Sequence, residues 1–278
     1  MQIKDGGHLY HETNPDNLIV EPWNAFSSLF IALPAIYWGF KTYKNFRQFK
    51  FLWFCIPLML LNGMGSTLFH AFRASVFFLY LDMLPAAILT LGVSLYFWNK
   101  VVRNPWLVLG IFLPAFLSRY IGYQFLPYFV AINVSYAIGG TFLFLPILIF
   151  IRRHHYHYAT DIFISVMSLI VALIFRTIDT MDVIPLPMGT HFLWHIFSGI
   201  GGYYLASYLY KIKKDEPAPE DLEDPQRAPA TGARFAQGRG DRRAERGENG
   251  PAPGTAGLPQ GQGRYAFRAK GLKSVSRS

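Results

Sequence analysis

The sequence predicts an all-α membrane protein, a seven-transmembrane-helix bundle followed by a disordered C-terminal tail. Hydrophobic residues make up 52% of its 278 residues and charged residues only 15%, against about 25% charged in soluble domains. The charges are also unevenly spread. Residues 1–210 hold 12 Lys and Arg with 8 Asp and Glu, whereas the last 68 residues hold 14 and 9. The first part is too apolar to fold in water. The last part is too polar and too rich in Gly, Pro and Ala to build a core. A single soluble domain is therefore excluded. A disulfide framework is excluded too, because Cys55 is the lone cysteine. The organisation read from this split is an extracytoplasmic segment over residues 1–22, the helical bundle over 23–210 and a disordered cytoplasmic tail over 211–278.

Each helix rests on an apolar run close to the ~20 residues needed to cross the hydrocarbon. In order, the runs cover roughly Trp23–Phe40, Phe51–His70, Val76–Trp98, Trp106–Tyr123, Tyr128–Ile151, Asp161–Phe175 and Gly189–Tyr210. None alternates strictly, which argues against a β-barrel. Trp23, Trp53, Trp98 and Trp106 fall near run ends, as an interfacial belt would. No cleavable signal peptide is expected, because the first run follows an acidic stretch and lacks a small-residue cleavage site. Lys41, Lys44, Arg47 and Lys50 follow the first run, Lys100 and Arg103 the third, Arg152 and Arg153 the fifth, and Lys211, Lys213 and Lys214 the seventh. The opposite connections hold Arg73, and Arg176 with Asp179 and Asp182. The positive-inside rule then predicts an integral, multi-pass protein with its C-terminus cytoplasmic and its N-terminus outside or lumenal. The net charge of +9 is accounted for by these loops and the tail, so no nucleic-acid partner is expected. Arg176 and Asp179 are expected to pair locally at the outer end of the sixth helix.

Ionisable residues inside apolar runs are costly and call for a reason. His70 closes the second run, Asp82 lies early in the third, and His191 and His195 open the seventh. His191 and His195 are spaced i, i+4 and share a helix face; Ser66 and His70 do the same. At ~1.5 Å rise per residue, oppositely running helices bring all of these within roughly 10 Å of the outer interface. Three histidines and a water make the open four-coordinate site typical of catalytic zinc. Asp82 is placed to orient that water or take its proton, and Ser66 to hydrogen-bond the water or a developing oxyanion. The competing reading is three separate structural histidines. The tract Arg152-Arg153-His154-His155-Tyr156-His157 is metal-like in composition, but a solvated loop on the cytoplasmic side is the better reading.

These residues carry a family resemblance. Gly63-Met64-Gly65-Ser66-Thr67-Leu68-Phe69-His70, Asp82, the His191/His195 pair and Glu21-Pro22-Trp23-Asn24-Ala25-Phe26-Ser27 are together similar to the alkaline ceramidase family, within the CREST superfamily of seven-helix membrane hydrolases. The resemblance covers about residues 8–210. It implies zinc at His70, His191 and His195, with Asp82 activating water and Ser66 as a zinc-site or oxyanion partner. It implies cleavage of a ceramide-like membrane lipid to fatty acid and sphingoid base. It further implies a calcium site, for which Glu12, Asn14, Asp16 and Glu21 are the equivalents here. The family's Asp-Trp-Cys-Glu run is absent, with His11-Glu12-Thr13-Asn14 in its place. On this reading Glu21 acts through local order or calcium, and its loss leaves zinc in place. A lipid receptor or sensor of the same superfamily, with a structural zinc site, is the alternative. A transporter has little support, since no inverted repeat or pair of broken helices is visible.

Overall fold

The computed structural model describes residues 3, 5–179, 181 and 183–216. Among them are seven α-helices and no strand: α1 (Pro22–Thr42), α2 (Lys50–Phe72), α3 (Val76–Val102), α4 (Pro105–Phe125), α5 (Tyr128–Arg153), α6 (Ala159–Ile178) and α7 (His191–Asp215). Helix ends follow local chemistry. Pro22 and Pro105 occupy first-turn positions of α1 and α4, where the missing N–H is not needed. Asn104 Oδ1 caps α4 by accepting from the Trp106 and Leu107 amides at 3.0 and 3.4 Å. Arg73 and Arg103 turn the chain through left-handed conformations after α2 and α3.

Five helices, α2 to α6, are long and apolar enough to cross a membrane, which marks a multi-pass membrane protein. Burial is inverted relative to a soluble domain. Phe77, Leu113 and Phe163 are each about two-thirds exposed, while Glu21, Asn24 and His70 are wholly buried. The remaining two helices fall short in composition because their polar residues point inward. On α1, Asn24, Ser27 and Ser28 are buried while Phe26, Phe30, Leu33 and Phe40 are exposed. On α7, His191, His195 and Ser207 are buried.

Packing sets up one end of the bundle for chemistry. α1 packs against α2 and α7, α7 against α6, α2 against α3, and α3 and α4 against α5. Two glycines allow the closest approaches. A side chain at Gly65 would run into the Leu81 backbone carbonyl of α3, and one at Gly199 into the Phe30 carbonyl of α1. These contacts draw Ser66 toward Asp82 and His195 toward Ser27. Asn62 Nδ2 ties α2 to α3 at the same level by donating to the Asp82 carbonyl at 2.5 Å. Among the described residues, α5 and α6 make no extended backbone contact. A cleft opens there.

The opposite end is closed by Phe97, Ile147, Ile151, Ile162 and Tyr208. Beyond them lie ion pairs Lys211–Asp161 (2.7 Å), Lys100–Glu216 (2.8 Å) and Lys213–Glu216 (2.6 Å). These extend α7 past the expected end at Tyr210 to Asp215, whose carboxylate accepts from Tyr158 at 2.7 Å. The rest of the expected tail, from residue 217, lies outside the described residues, as do Lys4 and Asp182. Residues 152–157 are exposed at this end, as a solvated loop should be. α6 is longer at both ends than its apolar run, and it carries Arg176 into the cleft.

Candidate metal centre

His70, His191 and His195 converge. Each offers one ligand nitrogen, and these lie within 4.8 Å of one another. All three rings are almost fully buried. They come from the end of α2 and the first turns of α7, so the depth argument from spacing holds in three dimensions. Among the described residues this is the one cluster of three or more His, Cys, Asp or Glu side chains able to hold a metal ion.

The rings are oriented from behind. The His70 Nδ1–H donates to Glu21 Oε2 in a short contact. A carboxylate only accepts, so the proton sits on Nδ1 and the Nε2 lone pair is left for a ligand. His195 Nδ1 lies 2.8 Å from Ser27 Oγ. Ser27 donates its own proton to the Asn24 carbonyl at 3.1 Å, so it accepts from His195 and leaves that Nε2 free as well. His191 stacks on Tyr10 with centroids 3.8 Å apart, and its Nδ1 is buried without a hydrogen-bond partner. Outer groups that fix the tautomer of a ligating histidine are the usual support of a metal site. An orphaned imidazole nitrogen beside two lone pairs fits a metal of the borderline class that imidazole favours.

Glu21 is the hub of a buried chain of charges. Its Oε1 accepts from Arg73 Nη1 in a short contact and from Thr13 Oγ1 at 2.6 Å. Arg73 turns its remaining fork onto Asp5, with Nε–Oδ2 at 2.6 Å and Nη2–Oδ1 at 3.1 Å. The backbone joins in, since the Glu21 amide donates to the His70 carbonyl at 3.1 Å. Glu21 thus acts on the histidine cluster directly, and the expectation that it works apart from that site is corrected. Nothing in the local sequence pattern around Arg73 or Asp5 signalled this chain. The one cue was a cation placed on the otherwise acidic side.

Of the other expected calcium ligands, Glu12 and Asn14 engage backbone amides. Glu12 accepts from the Trp23 and Asn24 amides at 2.6 and 2.9 Å, capping the start of α1. Asn14 Oδ1 accepts from the Asp16 amide at 3.1 Å in a local turn, and both residues are exposed. The expected Arg176–Asp179 pairing is likewise replaced. Asp179 accepts from the Thr190 and His191 amides at 2.5 and 2.9 Å and from the His11 amide at 3.2 Å. The unsatisfied amides at the start of α7 are a stronger claim on that carboxylate than a neighbouring side chain.

In front of the histidines lies a cleft of about 480 Å³, part of it open, walled by α3, α5, α6 and α7 and roofed by Tyr10 and its neighbours. Asp82, Arg176, His191 and His195 all line it. Ser66 is buried just behind, its hydroxyl 3.0 Å from Ser28 Oγ, whose own proton goes to the Asn24 carbonyl at 2.7 Å, and it interacts with the Asp82 carboxylate. The structure therefore brings together Ser66, Asp82 and the three histidines. It adds Glu21, Ser27, Tyr10 and Arg176, which sequence reasoning had not assigned to this site. Compared with known proteins, the chain matches no family model and no curated protein sequence.

Proposed function

We propose that the protein is an integral-membrane, zinc-dependent hydrolase that cleaves the amide bond of ceramide or a related acyl lipid to a fatty acid and a sphingoid base. The observation that carries this reading is the buried histidine triad opening onto a cleft that also holds a carboxylate. Its alkaline-ceramidase character rests on the motif resemblance of Ser66, His70, Asp82, His191 and His195. His70, His191 and His195 would hold the zinc ion, which would supply Lewis acidity for an acyl carbonyl and a water of pKa roughly 7. Asp82 accepts a proton from the attacking water and passes it to the leaving nitrogen. The C–N bond breaks, the water oxygen joins the acyl carbon, and the amine leaves with the proton. Ser66, buried 3.0 Å from Ser28 Oγ and beside Asp82, is placed to turn its hydroxyl to Asp82 or to the acyl oxygen as charge develops there.

All seven helices span the bilayer in this proposal. At ~1.5 Å per residue, the 21 residues of α1 and the 25 of α7 match its thickness. The triad lies at the extracytoplasmic face. Lys100, Lys211 and Lys213 cluster at the opposite end, in keeping with the positive-inside rule. The open seam between α5 and α6 gives a two-tailed lipid lateral access. The test is release of fatty acid from a ceramide series by purified, zinc-loaded protein in nanodiscs, with His195→Ala as the blank. Absence of release from every ceramide and simple acyl amide would sink the proposal.

A further inference from the structure

Arg176 has no structural partner of the kind that explains Arg73. Its guanidinium stands over the rings of Tyr136 at 4.9 Å and Trp194 at 5.7 Å. Aromatic faces attract a cation without neutralising it. Among the described residues, no carboxylate forms an ion pair with it. Tyr10 hydrogen-bonds to it and Asp82 acts on it at longer range, and neither forms the forked pair that Arg73 makes with Asp5. A guanidinium has five N–H donors and accepts nothing. An arginine near the end of an otherwise apolar helix is costly there, and a leucine would pack the same wall at less cost. The side chain lines the same cleft as Asp82, His191 and His195, which puts a cation with more donors than its one hydrogen bond to Tyr10 needs at the wall of that space.

We infer that Arg176 is the receptor for an anionic oxygen on a bound acyl lipid. That oxygen belongs either to a carboxylate or phosphate at the polar end of an amide substrate, or to the carboxylate that amide cleavage leaves on the acyl chain. Naming the scissile bond rests on the proposed hydrolysis; the recognition itself does not. Tyr136 and Trp194 hold the guanidinium plane and exclude water from one side of it, which strengthens a charge-assisted contact on the other.

The test measures binding and not turnover. Full-length protein in nanodiscs is titrated with N-dodecanoylglycine, N-dodecanoylethanolamine and dodecanoate, both metal-loaded and after chelation. The first two differ only in carrying a carboxylate or a hydroxymethyl group. Wild type is expected to bind at least one of the two anions roughly tenfold more tightly than the ethanolamide, with or without metal. Arg176→Gln should bring that ratio near one, and Arg176→Lys should keep most of it. Preference for N-dodecanoylglycine identifies a substrate's polar end, and preference for dodecanoate alone identifies the cleavage product. The inference is overturned if chelated wild type shows no anion preference, a measurement that needs no variant. It is equally overturned if folded Arg176→Gln keeps the wild-type ratio. A protein that binds this way but hydrolyses nothing would refute the proposed function and leave the inference standing.

Discussion

Replacing Glu21 with glutamine keeps the side chain's shape and removes its charge, which isolates its effect on His70. In the wild-type protein the carboxylate fixes the His70 proton on Nδ1 and orients the ring, leaving Nε2 for a metal. Loss of such a partner costs about 10–100-fold in metal affinity, equivalent to about 1.4–2.8 kcal/mol. Glutamine can still accept from Nδ1–H, so the lower end applies to Glu21→Gln and the upper end to Glu21→Ala. Stability responds separately. Arg73 loses one charged hydrogen bond, worth about 1.5–3 kcal/mol, but keeps its fork to Asp5. Glu21→Ala also strands Thr13 Oγ1 and His70 Nδ1 in a buried site. Zinc affinity is read by competition with a chelator, and stability by thermal unfolding of the metal-free protein. Zinc binding at wild-type strength in Glu21→Ala, whatever the loss in stability, would refute the assignment of Glu21 to the histidine cluster.

Alanine at His70, His191 or His195 should each strip bound zinc, measured as metal per purified protein; retention by any one removes that residue from the ligand set. Asp82→Asn and Ser66→Ala should keep zinc while lipid turnover falls, by roughly 10²–10³-fold for Ser66→Ala if it serves the developing oxyanion. Unchanged turnover in Asp82→Asn would show that it is not the base. Burial pushes the Asp5 carboxyl up, but the Arg73 guanidinium and the Gly7 amide outweigh it and hold its pKa below the ordinary value. A depressed carboxylate stabilises the fold above its unfolded pKa of about 4, and that stabilisation is lost as pH falls through the folded value. Unfolding profiles should therefore show wild type losing stability below about pH 4 more steeply than Asp5→Asn. Parallel profiles would count against the Asp5–Arg73 pairing.

Helix placement was legible because lipid as solvent turns burial into composition: α2 to α6 announce themselves by apolar length alone. The errors fall where a charge at a run's end was taken for an interface marker. Arg176 continues α6 into the cleft, and α7 is extended by Lys211 reaching Asp161 on α6 and Lys213 reaching Glu216 at the helix's own end. The three histidines, Ser66 and Asp82 were legible for a related reason. Helical spacing and common depth are one-dimensional properties, and a polar residue in an apolar run stands out. The supports behind them were not. Ser27 meets His195 across 168 residues, and Arg73 meets Asp5 across 68. Such pairs exist only once Gly65 and Gly199 have let α1, α2, α3 and α7 close on each other.

One signal for the missing supports does lie in the charge pattern that sets orientation. Lys41, Lys44, Arg47, Arg103 and Arg152 sit at the end assigned to the cytoplasm, and all are exposed. Arg73, Arg119 and Arg176 lie at the opposite end, against the rule. Each is engaged inside the protein: Arg73 with Asp5 and Glu21, Arg119 with Ser135 Oγ at 2.6 Å, and Arg176 over Tyr136 and Trp194. Loop cations that bias topology work from water and need no partner. A cation on the wrong side gains nothing from that bias, so it remains in a sequence only where the fold or a ligand gives it a use. Two of these three border the histidine cluster, one through Glu21 and one across the cleft. An arginine that breaks the orientation pattern is therefore a pointer to the site, available before any coordinates are.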